Sequence, residues 1–223
     1  MRYFTNRTEA GLLLAEKLSE YQLDNPLILA LPRGGVPVAA AIAQKFHFQM
    51  DLLSVKKIGA PLNAEFAIGA VSENGKPWLN EEVVHSLRIT PDKLKEIVRK
   101  KTEEARQKTE LFRGYLPEIS KKDREVILID DGIATGATVM VAIRILQAQG
   151  AKKIVIAVPV APESTLEELR KQADEVICLM TPEPFMAVGN FYHDFAQVSD
   201  QDVLEILQAM KSQNESQRDA GIW

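Results

Sequence analysis

Apolar and polar positions along the chain alternate on two scales, and together they predict an α/β fold. Asn6 followed by Glu9 reads as a capping box opening a helix through about Tyr21, with Leu12, Leu13 and Leu18 inward. Pro26-Leu-Ile-Leu-Ala-Leu31 is short, continuous and apolar, as a strand buried on both faces must be. After the turn Pro32-Arg-Gly-Gly35, the Ala-rich run from Val36 to about Phe46 is helical. Asp51-Leu-Leu-Ser-Val55 is the next strand, closed by Lys56-Lys57, and Phe66 to Val71 another. Asn74-Gly75 is a hairpin signal that returns the chain through Pro77-Trp-Leu79. From Thr90-Pro91 to about Phe112 runs a long, charged helical segment with sparse apolar positions at Leu94, Ile97, Val98 and Leu111.

The second half is more regular. Strands at Val126–Ile129, Lys153–Val158 and Glu175–Leu179 alternate with helices at 136–149 and 163–172. Such alternation signals βαβ units and a mainly parallel twisted sheet flanked by helices. A last helix is expected from Asp200 to Lys211, and the polar stretch from Ser212 is expected to fray. We read residues 1–212 as one domain and 213–223 as a disordered tail.

Composition narrows the class. The 223 residues are 46% hydrophobic and 26% charged, with a formal net charge of −4. That balance fits a soluble globular protein and argues against a general nucleic-acid binder. The single cysteine, Cys178, excludes an internal disulfide and a Cys-rich metal site, and its apolar surroundings suit a strand residue. The first residues lack a signal-peptide core, and no apolar stretch nears the roughly 20 residues that span a bilayer. A cytoplasmic protein without a membrane partner is expected.

The chemistry is concentrated in Val126-Ile-Leu-Ile-Asp-Asp-Gly-Ile-Ala-Thr-Gly-Ala-Thr138. An apolar strand ends at Asp130 and Asp131, and Thr135-Gly-Ala-Thr138 then opens a helix. Ligands of parallel sheets gather at the carboxyl ends of strands, and a helix N-terminus offers unpaired N–H groups and a positive dipole end. Small residues at Gly136 and Ala137 admit a phosphate to the backbone, while Thr135 and Thr138 add hydroxyls. Two carboxylates match the vicinal hydroxyls of a ribose. The plainer alternative, an ordinary turn in which Asp131 or Thr135 caps the helix, leaves the rest of the string unexplained. No Gly-Lys-Ser/Thr element of a Walker A loop is present.

This string resembles the phosphoribosyl pyrophosphate (PRPP) motif of type I phosphoribosyltransferases, and the order of elements from about Leu27 to Leu179 fits that family. The resemblance implies that Asp130 and Asp131 hold the ribose hydroxyls. It places the 5-phosphate in the loop of Gly132, Ile133, Ala134, Thr135, Gly136, Ala137 and Thr138. It implies a Mg²⁺ ion held mainly by substrate oxygens, with Asp130 and Asp131 acting directly or through water. Leu31-Pro-Arg-Gly-Gly-Val-Pro37 resembles the family's pyrophosphate loop, so Arg33, Gly34 and Gly35 join the site. The glycines would permit close approach and unusual dihedrals, and the peptide after Arg33 is expected to be strained or cis. Lys56 or Lys57 would reach the pyrophosphate, with Lys57 counted among the catalytic residues beside Arg33, Asp130 and Asp131.

Segment 90–113 stands where the family carries a flexible loop, and one of Arg88, Arg99, Lys100, Lys101, Arg106 or Arg113 could fold over the reacting centre. Residues 185–212 stand where a hood covers the acceptor, with Phe191, Tyr192 or Phe195 to stack on a ring and Asp194 to accept hydrogen bonds. Glu65 is a candidate for proton transfer. Ala134 stands where 6-oxopurine enzymes place an acid, so hypoxanthine and guanine are disfavoured and the pattern is nearer the adenine type. The implied reaction moves ribose 5-phosphate from PRPP to a small-molecule nitrogen nucleophile, a nucleobase by family, and releases pyrophosphate. A homodimer is the assembly common in that family. A non-catalytic PRPP or nucleotide sensor on the same fold is the alternative.

Overall fold

The computed structural model describes residues 3–61, 63–116 and 118–219, the side chains of 64, 65 and 213–219 excepted. Five parallel strands form the central sheet: β1 (Leu27–Ala30), β2 (Met50–Leu52), β6 (Glu125–Ile129), β7 (Lys153–Val160) and β8 (Glu175–Met180), in the order β2-β1-β6-β7-β8. β3 (Lys56–Ala60), β4 (Asn63–Val71) and β5 (Pro77–Leu79) make a separate antiparallel sheet in chain order. The mainly parallel α/β expectation therefore holds, with a smaller sheet added.

All four residues of β1 are buried, as are Val126 to Ile129 of β6 and Ile154 to Val160 of β7. Helices cover both faces. On one, α1 (Arg7–Leu18), α2 (Gly35–Phe46) and α7 (Asp200–Asp219) pack through Leu14, Leu18, Val38, Ile42, Val203 and Leu207 onto Ile28, Ile127 and Val155. On the other, α5 (Ala137–Ala148) and α6 (Glu163–Arg170) pack through Ile143, Leu146 and Leu166 onto Leu29, Leu128 and Ile156. Alternate residues of one strand thus feed opposite cores, as the period of two requires.

The structure shifts several boundaries. α1 ends at Leu18, and its phase buries Ala10, Leu14, Ala15 and Leu18, leaving Leu12 exposed. Side chains at i and i+4 share a face, and Leu12 lies off the stripe that starts at Ala10. β2 stops at Leu52, so Lys56 and Lys57 open the antiparallel sheet, opposite Val71 and Ala70. A short helix, α3 (Glu81–Ser86), capped by Asn80, follows β5 without having been foreseen. The last helix continues through Asp219, past the end of its apolar period at Met210. Cys178 does lie in a strand, β8, where it is half-buried and its thiol donates to the Met180 carbonyl at 3.1 Å.

The charged segment is a single helix, α4 (Pro91–Arg113), capped by Thr90 with Pro91 in its first turn. Its stripe of Leu94, Ile97 and Val98 covers Ile58, Ala60, Ile68 and Val71 of the small sheet, while Leu111 stays exposed. The helix end is tied down by charge. Arg113 Nη1 donates to Asp51 Oδ1 at 2.6 Å and Nη2 to Glu73 at 3.2 Å. Lys121 Nζ, 5% exposed, donates to Asp51 Oδ2 at 2.7 Å, where the Ile119 amide also donates at 3.1 Å. Asp51 is wholly buried in β2. Two cations and two backbone amides, the second being that of Leu52 to Oδ1 at 2.7 Å, compensate its desolvation.

Removing one member of such a buried pair strands the others. Asp51→Ala should cost about 3 kcal/mol of unfolding free energy in a urea titration. The Cys178 thiol, pushed up to about 11 mainly by burial, gives a second expectation, since the thiolate is the nucleophile. At pH 8 the folded protein should react with iodoacetamide far more slowly than the urea-unfolded chain.

Candidate active site

The carboxyl ends of β1 and β6 lie side by side, Ala30 opposite Ile129, and the loop that leaves each strand starts a helix. The Leu31 amide donates to the Ile129 carbonyl at 2.9 Å, which carries the pairing one residue beyond β1. Here the two glycine-bearing loops meet. A Cβ on Gly34 would lie 2.1 Å from Asp131 Oδ2, and one on Gly35 would lie 2.7 Å from the Ile129 carbonyl oxygen. The glycines are required by this contact and not by their dihedrals, for Gly34 has ordinary helical angles (φ −59°, ψ −35°). The cis peptide of the loop is Pro32–Arg33, one residue before the position expected.

Gly136 is the opposite case. Its φ of +73° is left-handed, and it stands immediately before α5 as the cap residue. The neighbouring Ala134 carbonyl is held by the Thr165 hydroxyl at 2.7 Å. Ala134, Thr135, Ala137 and Thr138 are exposed around that turn, whereas Ile133 is buried in the core. Neither α2 nor α5 has a side-chain cap, but only α5 presents first-turn N–H groups at this edge, because in α2 the Gly35 and Val36 amides donate to the Leu31 and Arg33 carbonyls, both at 3.1 Å, and Pro37 has none. Gly132 is explained by packing, since a Cβ there would meet Val188 at 2.4 Å.

Asp130 and Asp131 sit between those two helix starts. The Asp131 amide donates to Asp130 Oδ1 at 2.9 Å. Burial, and then the adjacent Asp131 charge, hold the Asp130 carboxyl well above the usual carboxylate range. Burial also pushes Asp131 up, against the pull of Arg7. Arg7, at the start of α1, donates from Nε to Asp131 Oδ2 at 2.7 Å and from Nη1 to the Ala196 carbonyl at 2.9 Å. Its guanidinium lies 3.8 Å over the Phe195 ring. The Tyr192 hydroxyl donates to the Asp131 carbonyl at 2.5 Å, and burial raises that phenol.

A cavity of about 350 Å³ opens on this arrangement, lined by Arg7, Arg33, Gly34, Asp131, Phe195, Gln197 and Val198. Arg33 Nη1 stands 3.8 Å from Asp200 Oδ1 at the start of α7, and Lys108 of α4 also pairs with Asp200. The structure therefore brings Arg33, Gly34, Gly35, Asp130, Asp131 and the 132–138 loop to one edge. Lys56 and Lys57 belong to the other sheet and are not among the cavity residues, Lys56 being half-buried and Lys57 exposed.

Other expectations change more. Phe191 and Tyr192, expected to stack on an acceptor, are 3% and 6% exposed and pack in a core with Phe4, Ala10 and Val160. Phe195 lies between Arg7, Gly189 and Tyr192. Asp194 is exposed and accepts from the Ala196 amide at 3.1 Å. The side chain of Glu65 lies outside the described residues. Among the basic residues of α4, Arg113 is committed to Asp51 and Glu73, Arg106 to the Glu73 carbonyl and Lys101 to Glu104. Lys108, absent from the sequence candidates, is the one that meets Asp200 beside Arg33. Arg7 was also missed, because no local pattern connects the first helical turn to a strand end 124 residues later.

Comparison with known proteins shows the family. Residues 7–196 match the sequence profile of the phosphoribosyl transferase domain. Two Mycobacterium tuberculosis proteins, from strains CDC 1551 / Oshkosh and ATCC 25618 / H37Rv, are each 39% identical over 93% of this chain. Their names assign them provisionally to the phosphoribosyl transferases, and the chain spans 47% of their length. The crystal structure of TT1426 from Thermus thermophilus is 40% identical and superposes with a TM-score of 0.83, covering 93% of this chain and 98% of that one. The chain belongs to the phosphoribosyl transferase family.

Proposed function

We propose that this protein transfers ribose 5-phosphate from PRPP to a nitrogen of a small-molecule acceptor, in the first instance a nucleobase, and releases pyrophosphate. The observation that carries the reading is the uncapped N-terminus of α5 and the Arg33 loop before α2, set on either side of the half-buried carboxylates Asp130 and Asp131. A helix start with open amides, an arginine across the cavity and sugar-hydroxyl acceptors between them match a donor phosphorylated at both ends. The α5 start and the Thr135–Thr138 turn suit the 5-phosphate. Arg33 suits the pyrophosphate, whose growing charge it stabilises as the bond to carbon 1 breaks. Carbon 1 then carries oxocarbenium character, as in other glycosyl transfers. Lys108 of α4, paired with Asp200 beside Arg33, is a basic residue of that helix at this edge.

The donor set also bears on the metal. Among the described residues no group of three or more His, Cys, Asp and Glu could hold an ion. Two carboxylates, one of them bound to Arg7, suit a Mg²⁺ that takes its remaining ligands from substrate oxygens and water. That ion would neutralise pyrophosphate charge. Ala134 offers no proton to an acceptor base, which favours acceptors of the adenine type over 6-oxopurines.

The test is a screen of nucleobases with PRPP and Mg²⁺, read as pyrophosphate release. One base should turn over, and the Asp130→Asn/Asp131→Asn double variant should lose that activity. Full turnover by the double variant would remove the site assignment. Tight PRPP binding without release by any base would point to a sensor. Gly34→Ala probes the loop contact separately. It should displace Asp131, lower unfolding free energy by about 1–3 kcal/mol and weaken PRPP binding in a titration.

A further inference from the structure

The N-terminal helix supplies a residue that neither the motif nor the pyrophosphate loop accounts for. Arg7 is only 11% exposed along its side chain, and its partner Asp131 14%. It is held on three sides: Nε by Asp131 Oδ2 at 2.7 Å, Nη1 by the Ala196 carbonyl at 2.9 Å, and one face by Phe195 at 3.8 Å. The segment that carries Ala196 and Phe195 is itself anchored. The Phe4 amide donates to the Phe191 carbonyl at 2.9 Å, and the amides of His193 and Asp194 donate to the Phe4 and Thr5 carbonyls at 2.8 and 2.9 Å. The guanidinium is thus fixed before any ligand arrives.

Asp131 is constrained in turn. Gly34 lies against its carboxylate, Tyr192 holds its carbonyl, and Arg7 takes Oδ2. Oδ1 is the oxygen that Arg7 leaves over. Resting on the donor-site reading above, we propose that Arg7 is a positioning residue for ribose recognition. It locks the rotamer of Asp131 so that Oδ1 is presented to a ribose hydroxyl, while Arg33 and the α5 start deal with the phosphates. A planar fork suits this role because one guanidinium reaches a carboxylate and a carbonyl together, which an ammonium does not do in fixed geometry.

The role separates Arg7 from a general anion ligand, because it should act only on ligands that carry the sugar. Ribose 5-phosphate and inorganic pyrophosphate are titrated calorimetrically, each alone, into wild type, Arg7→Ala, Arg7→Lys, Asp131→Asn and the Arg7→Ala/Asp131→Asn double variant. The thermal midpoint of each protein is recorded alongside. Arg7→Ala should weaken ribose 5-phosphate about tenfold or more, in keeping with a lost charge-assisted pair. Its pyrophosphate affinity should stay within about twofold, and Arg7→Lys should recover part of the ribose affinity. Adding Arg7→Ala to Asp131→Asn should change little, since residues that act through one another are not additive.

An equal loss for pyrophosphate, or a full additive loss in the double variant, would overturn the proposal. So would unchanged ribose 5-phosphate binding by Arg7→Ala. If Arg7→Ala does not fold, Arg7→Lys carries the same comparison, and wild-type affinity in that variant would count against the role. Failure of the wild type to bind ribose 5-phosphate at all would instead reject the donor site on which the proposal rests.

Discussion

Two adjacent carboxylates at the end of a buried strand are expensive, and much of the surrounding structure follows from that cost. Burial drives both toward their neutral forms, and Asp130 ionises still less readily beside Asp131. Arg7 offsets the charge of Asp131, and the Asp131 amide supports Asp130. The helix starts on either side add a positive field. A ligand carrying hydroxyls and anions fits that field because it brings donors to the carboxylates and negative charge to the helix ends. The loops must approach closely for this to work, which leaves no room for side chains at positions 34 and 35.

Asp51, a wholly buried carboxylate, solves the same physical problem differently. It takes its partners from Arg113, Lys121 and the Ile119 and Leu52 amides, two on each oxygen, so nothing is left over for a ligand. Its network joins β2 to the far end of α4 and to the turn at Glu73. That end of α4 is consequently a fixture of the fold, and the opposite end packs on the small sheet through Leu94, Ile97 and Val98. Asp51 is spent on holding the structure together, whereas Arg7 engages only one oxygen of Asp131.

What could be read in the sequence divides along the same line. The apolar runs at Leu27–Ala30 and Val126–Ile129 announced buried parallel strands because both of their faces are covered. The Asp-Asp and Thr-Gly-Ala-Thr elements could be read because a strand end and a helix start lie within one short loop. Local signals also gave the Asn74-Gly75 hairpin and the Pro91 helix start. Contacts made by distant segments could not be read that way. Nothing around Arg7 indicates Asp131, and nothing in Phe191 or Tyr192 shows that Phe4 and Val160 will bury them. The lysine pair was misplaced for a related reason, since an apolar run into Val55 gives no sign that pairing ends at Leu52 and a new sheet begins.

The contact between Arg7 and the Ala196 carbonyl spans 189 residues, and this has a bearing on biosynthesis. A ribosome delivers the first helix and the strand ending at Ile129 well before it delivers Phe195. During that interval the aspartates can be present on a nearly complete sheet while the wall that orders Arg7 does not yet exist. The fixed pairing of Arg7 with Asp131 can therefore form only after most of the hydrophobic core of the central sheet is already available to fold.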